Sequence, residues 1–80
     1  MSMNDTHAPK VSATAPNGQV FTKPALLRGY TVRYAILVRK GDEWAAKAWL
    51  VDSPASYRKL ISLQRKGEFD EVIEVKVEAI

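Results

Sequence analysis

Hydrophobic and polar positions alternate along three stretches of the chain and recur at helical spacing along a fourth. Alternation with a period of two residues covers 30–39, 44–51 and 70–80, and this period predicts β-strands. The residues 40–43 (Lys-Gly-Asp-Glu) separate the first two strands, and Gly41 suits a tight turn there. The pattern therefore predicts a β-hairpin, then a helix, then a third strand.

The helix predicted between the second and third strands has a start signal and a stop signal. Ser53 is a suitable N-cap, and Pro54 fits the first helical position, where no N–H group is needed. Gly67 is the expected residue just past the end, and Arg65 and Lys66 suit the negative end of the helix dipole. The helix face predicted to pack on the sheet carries Tyr57, Leu60, Ile61 and Gln64.

Topology rules arrange these elements as an α+β fold, a small three-stranded antiparallel sheet with one helix on one face. A strand–helix–strand crossover normally returns parallel to its first strand, so the third strand runs parallel to the second. The gap between them suits the first strand, which gives the order 2-1-3 of a split β-α-β unit (β-β-α-β along the chain). The sheet residues predicted to face the helix are Val32, Tyr34, Ile36, Trp44, Leu50, Ile73, Val75 and Val77.

The N-terminal part of the chain lacks this periodicity. Residues 1–18 are rich in Ser, Thr, Ala, Asn and Pro, which predicts a disordered tail. Residues 19–29 contain Val20, Phe21 and two leucines but are interrupted by Lys23-Pro24. We expect either a short strand or an irregular cover on the sheet, so that 19–80 form a single domain behind the tail.

Composition argues against catalysis and against a resident metal or cofactor. The chain has no cysteine, its single histidine (His7) lies in the predicted tail, and no glycine-rich phosphate loop occurs. The adjacent acids Asp42-Glu43 and Asp70-Glu71 lie at strand ends, where carboxylates are mostly solvated. We therefore expect no enzyme and no cofactor. Without an apolar run long enough for a membrane span, we expect a cytoplasmic protein.

Charge is distributed unevenly along the chain, whose net charge is +3. Residues 10–66 contain eleven Lys and Arg and three acids, whereas 67–80 contain one Lys and five acids. A basic body with an acidic last strand has two interpretations. The basic residues form a patch for an acidic partner or nucleic acid, or the charges are solvated and pair across the sheet.

The sheet face opposite the helix has no cover in this arrangement and is the predicted binding site. An exposed surface that mixes aromatic, apolar and basic residues is typical of protein interfaces. We expect a small interaction or inhibitor protein, of the type that phages and other mobile elements encode, whose partner is another protein or a second copy of the chain. A sheet edge is a second possible contact. The alternative is a nucleic-acid-binding protein that uses the same face. The predicted partner-binding residues are Arg33, Leu37, Arg39, Lys47, Trp49 and Val51.

Overall fold

The computed structural model describes residues 9–80 and shows a mixed α+β fold with one helix in that range. The strands are β1 (Lys10–Thr14), β2 (Val20–Pro24), β3 (Leu26–Leu27), β4 (Tyr30–Thr31), β5 (Tyr34–Lys40), β6 (Glu43–Leu50), β7 (Glu71–Lys76) and β8 (Glu78–Ala79). The helix α1 (Ser53–Lys66) lies between β6 and β7.

The central sheet has the predicted topology. Its order is β6-β5-β7, and β5 is antiparallel to both neighbours, so β7 runs parallel to β6. The α+β class, the 2-1-3 order and the helix on one face are therefore confirmed. The fold contains more strands than the three predicted, because the N-terminal residues contribute strands of their own.

The helix begins and ends close to the predicted positions. Its N-cap is Asp52 rather than Ser53, since the Asp52 carboxylate accepts a 2.8 Å hydrogen bond from the Ala55 N–H. Pro54 lies in the first turn, as expected. Gly67 ends the helix with a φ of 68°, a left-handed conformation that glycine adopts without steric cost.

The predicted tail is wrong for residues 10–18. Lys10–Thr14 form β1, which pairs with β2 as an antiparallel hairpin and with β8 on its other side. The turn between β1 and β2 is closed by hydrogen bonds from Ala15 N–H to Gln19 O and from Gly18 N–H to Ala15 O. Residues 1–8 of the predicted tail lie outside the described range.

The hairpin covers the sheet face that was expected to be open. Ala13 and Ala15, which are almost completely buried, pack with Ala35, Leu37 and Trp44 of the central sheet. Alanine has no side chain beyond Cβ, so β1 can lie close against this face. The result is three layers, with α1 on one side of the central sheet and the β1–β2 hairpin on the other. The last strand connects the two sheets, because β7 pairs with β5 and β8 pairs with β1.

A β-bulge in β6 determines which side chains lie beneath the hairpin. Ile36 pairs with Ala48, but its neighbour Leu37 pairs with Ala46, so Lys47 is an extra residue without a partner on β5. Side chains of a regular strand change face at every residue, and one extra residue reverses the alternation beyond it. Trp44 and Trp49, five residues apart, therefore lie on the same face.

Because of the bulge and the second cover, several side chains do not face the helix as predicted. Ile36 and Leu50 face the helix as expected, together with Val38 and Val72. The prediction was wrong for Trp44, Ile73, Val75 and Val77, which pack in the cluster beneath the hairpin, and for Val32, which packs with Val11 and Ala25. Strand β7 therefore directs Glu74 rather than Ile73 toward the helix, and Glu74 accepts a hydrogen bond from the buried Ser56 hydroxyl.

The helix is rotated relative to the predicted orientation. Ser56, Leu60 and Leu63 face the sheet, whereas Tyr57 is 61% exposed and Ile61 is half-buried. The Ser56–Glu74 hydrogen bond explains how a polar residue occupies a completely buried position. At the other end, Gln64 Nε2 donates to the Val72 carbonyl at 3.2 Å. Within residues 9–80, no helix is both long enough and apolar enough to cross a membrane.

The buried position of β1 predicts that the N-terminal hairpin is required for folding. Replacing Ala13 by Glu places a carboxylate in the core, at a cost on the order of 5 kcal/mol. This cost approaches the whole stability of a small domain. Ala13→Glu should therefore be unfolded at room temperature by circular dichroism. Thr14→Glu, on the exposed side of the same strand, is the matched control and should change stability by about 0.5 kcal/mol or less. Equal stability of the two variants would contradict the packing of β1.

The bulge predicts that two single-residue deletions of the same length have different effects. Deleting Lys47 leaves a regular strand in which Trp44, Ala46 and Trp49 keep their face, so the loss should be about 1 kcal/mol. Deleting Ala46 instead gives the same strand length but turns Lys47 inward, at a cost of about 3 kcal/mol or more. Urea denaturation of both variants measures the difference. Similar stabilities would show that the extra residue is not Lys47.

Candidate functional site

The predicted binding face is mostly covered by the hairpin. Leu37 is completely buried, with 0% exposure, beneath β1. Trp44 is buried, and Trp49 is half-buried and packs between two hydrophobic clusters. Leu37 therefore cannot contact a partner, and Trp49 contributes to the core.

Two of the predicted basic residues, Arg39 and Lys47, interact with other residues of the same chain. Arg39 Nε forms a 3.1 Å ion pair with Glu71, and Arg39 Nη1 donates to the Gly41 carbonyl at 2.8 Å. Lys47, the bulge residue, places its Nζ 5.6 Å from the centre of the Phe69 ring, a cation–π contact. These interactions connect β5, β6 and β7 at one end of the sheet, which is a structural role.

Arg33 and Val51 lie away from this cluster, at the opposite end of the central sheet. Val51 is half-buried after β6, whereas Arg33 is exposed just before β5. The backbone of Arg33 is held on both sides, because its N–H donates to Leu50 O at 2.9 Å and its carbonyl accepts from Val77 N–H at 3.1 Å. The structure therefore does not bring the six predicted residues together into one exposed surface.

Two of the edge strands, β6 and β2, are poorly suited to pairing with a partner strand. Strand β6 carries the bulge at Lys47, which interrupts its hydrogen-bonding edge. Strand β2 contains Lys23 and ends at Pro24, which has no N–H group to donate. Bulges, lysine and proline are features by which sheet edges avoid intermolecular pairing. The edges of β6 and β2 are therefore not favoured contacts.

The outward side of α1 is the remaining surface with interface-like composition. We call it the outer helix surface, and it consists of Tyr57, Arg58, Ile61, Ser62, Arg65 and Lys66, which line a shallow depression of about 550 Å³. Tyr57 and Ile61 supply apolar area one helical turn apart. Arg58 and Arg65 are two turns apart, which corresponds to about 10 Å along the axis. Tyr and Arg are the residue types most enriched at the energetic centres of interfaces.

Electrostatics on this side of the molecule are positive. The helix contains Arg58, Lys59, Arg65 and Lys66 and no acidic residue. In the part of the chain that the structure describes, the ion pairs are those of Arg39 with Asp70 and Glu71, so none involves a helix cation. Among residues 9–80, the acids of the last strand therefore form no ion pair with a helix cation.

Tyr57 and Ile61 are the site residues that the sequence analysis assigned to the core. The helix has two adjacent apolar stripes, Tyr57–Ile61 and Leu60–Leu63, and spacing alone does not decide which faces the sheet. The signal that distinguishes them is Ser56, one turn before Leu60, whose hydroxyl has a carboxylate partner on β7. Among residues 9–80, no group of three or more His, Cys, Asp or Glu side chains is placed to hold a metal ion.

Comparison with known proteins adds no functional assignment, because no family model, curated protein or solved structure matches this chain.

The location of Trp49 predicts that its replacement affects folding rather than a free binding surface. Trp49→Ala removes a side chain that packs in both hydrophobic clusters on the hairpin side of the sheet, so it should cost about 2 kcal/mol or more. Thermal denaturation followed by circular dichroism measures the loss. Tyr30→Ala removes an aromatic side chain that is 67% exposed and is the matched control, expected within about 0.5 kcal/mol of the parent. A Trp49→Ala variant as stable as this control would mean that Trp49 is free for binding.

Proposed function

We propose that this chain is a non-enzymatic protein-binding module whose outer helix surface contacts an acidic region of a partner protein. The observation that carries the proposal is the helix itself, with four cations, no acid, and an exposed Tyr57 and a half-buried Ile61 beside Arg58 and Arg65. The chain contains no cysteine, so a reducing compartment such as the cytoplasm suits it. A small interaction or inhibitor protein is the functional class that fits these properties.

Charge complementarity selects the kind of partner. Four unneutralised cations on one helix attract an acidic surface and accelerate its encounter with the domain. Arginine can bind a carboxylate through two parallel hydrogen bonds, which adds geometric specificity. We therefore expect Asp and Glu side chains on the partner opposite Arg58 and Arg65.

Apolar area favours a protein over a nucleic acid. Tyr57 and Ile61 are the apolar side chains of this surface, and a protein partner would bury them together. Sites for single-stranded nucleic acid typically provide several aromatic side chains for stacking bases, whereas this surface has Tyr57 alone. The sheet face that would have provided a stacking platform is covered by the hairpin.

Site-specific photo-cross-linking tests the proposal. A photoreactive amino acid at position 57 should capture a protein from a nuclease-treated lysate of the source organism, and the same group at position 30 should not. Both native tyrosines are similarly exposed, at 61% and 67%, so accessibility is matched. The capture counts as support only if Arg58→Glu with Arg65→Glu abolishes it while Lys10→Glu with Arg28→Glu, the charge-matched control, leaves it intact.

Affinity for the captured partner gives the quantitative prediction. Tyr57→Ala should weaken binding about thirtyfold, which corresponds to about 2 kcal/mol, without changing the thermal midpoint. The protein complex should persist at moderate salt. Nuclease-sensitive capture, with affinity that falls steeply with salt concentration, would replace the proposal by nucleic-acid binding. Equal capture from positions 57 and 30 would rule out the helix surface.

A further inference from the structure

Ser62 is one helical turn from each of the three cations that line the outer helix surface. Residues three and four positions apart are neighbours on the surface of an α-helix, with Cβ atoms about 5–6 Å apart. Arg58 precedes Ser62 by one such step, and Arg65 and Lys66 follow it by one. All four side chains line the same shallow depression, and Ser62 is exposed there. One hydroxyl group therefore has three cations as its neighbours.

These cations have no anionic partner in the part of the chain that the structure describes. The ion pairs of residues 9–80 are formed by Arg39, and α1 contains no acidic residue. Arg58 lies on one side of Ser62 along the helix axis, and Arg65 and Lys66 lie on the other. A single anion placed over Ser62 is therefore within reach of all three cations, and the Ser62 hydroxyl can donate a hydrogen bond to it.

The charge around Ser62 suits a phosphate monoester better than a carboxylate. A phosphorylated side chain carries a charge of about −1.5 to −2 at pH 7 and offers three acceptor oxygens. Arginine forms parallel hydrogen bonds with such oxygens, and lysine contributes a compact positive charge. A carboxylate has one charge and two oxygens, so it would leave most of the charge of Arg58, Arg65 and Lys66 without a partner.

Apolar area beside this position favours a phosphorylated protein as the source of the phosphate. Tyr57 and Ile61 line the same depression as Ser62, and Tyr57 is 61% exposed. Inorganic phosphate would leave both side chains uncovered, and each phosphate of a nucleic acid backbone carries only one charge. A phosphorylated segment with an apolar neighbouring residue would satisfy the cations and cover Tyr57 and Ile61 together.

We propose that the outer helix surface recognises a phosphorylated residue of its protein partner, with the phosphate over Ser62 and an apolar neighbour on Tyr57 and Ile61. This inference rests on the proposed function, because it names the acidic group that the partner supplies. Binding of phosphorylated segments by arginine clusters is a recurring mode of peptide recognition.

A titration followed by amide NMR shifts tests the site with three probes: phenyl phosphate, benzoate and inorganic phosphate. Phenyl phosphate joins a phosphate monoester to an apolar ring and should cause saturable shifts at Ile61 and Ser62. Benzoate and inorganic phosphate should each bind at least about tenfold more weakly, because the first lacks the second charge and the second lacks the ring.

Variants of the helix locate the bound phosphate. Arg58→Gln and Arg65→Gln should each weaken phenyl phosphate binding about tenfold, and Ser62→Ala about threefold. Lys59→Gln removes a cation from the same helix that does not line the depression, so it is the matched control and should change the affinity by no more than about twofold.

Three results of the titration would overturn the proposal. Benzoate binding as tight as that of phenyl phosphate would show that the second charge is not recognised. Equal binding of inorganic phosphate would show that Tyr57 and Ile61 take no part. An absence of saturable shifts, or an unchanged affinity in both arginine variants, would show that the phosphate is not held over Ser62.

Photocapture from position 57 connects the site to the partner. Capture should be lost from a lysate treated with a protein phosphatase and retained when the phosphatase has been inactivated. Capture from both lysates would show that the partner supplies carboxylates, which overturns this inference and leaves the proposed function in place. Capture from neither lysate would contradict the proposed function itself, and this inference with it.

Discussion

One unpaired residue in β6 decides which side chains of that strand lie beneath the N-terminal hairpin. Because Lys47 has no partner on β5, the alternation of side chains between the two faces of the sheet is reversed beyond it. Trp44 and Trp49 consequently share one face with Leu37 and Val75. That face is too apolar to remain in water, and α1 already occupies the opposite face. The N-terminal residues must therefore provide a second cover, which they do as the β1–β2 hairpin.

The need for a second cover explains why composition was misleading at the N-terminus. Small residues such as Ser, Ala and Thr are typical of linkers, yet here they let β1 approach the tryptophan face closely. The period-two signal is present in Val11, Ala13 and Ala15, all buried, but alanine carries little weight in a hydrophobicity pattern. The apolar residues on both faces of the predicted sheet indicated the second cover better than the composition of the N-terminal residues did. Once Leu37 and Trp49 are counted with Ile73 and Val75, a one-sided cover is insufficient.

Features fixed by local chemistry were predictable, and features fixed by register were not. The turn at Gly41, the helix stop at Gly67 and the 2-1-3 strand order follow from backbone preferences and crossover handedness, and all are present. The predicted binding face is not open because the N-terminal hairpin covers it, and the face of Trp44 was wrong because that prediction assumed uninterrupted alternation through β6, which the bulge reverses. The helix orientation failed because two adjacent apolar stripes compete, and a buried hydrogen bond between Ser56 and Glu74 decides between them.

The same structure separates the charges that make internal contacts from those that form no ion pair among residues 9–80. Acids of the last strand serve internal contacts, since Glu71 and Asp70 lie against Arg39 and Glu74 accepts from Ser56. Pairing across the sheet, one of the two interpretations of the charge pattern, thus applies to the acidic end of the chain. The helix cations have no such role in the described part of the chain, nor do Arg33 and Lys76. The excess positive charge is therefore concentrated on surfaces outside the two cores. Because both sheet faces are used for folding, the surface proposed for binding lies on the outside of a cover, on the outward side of α1.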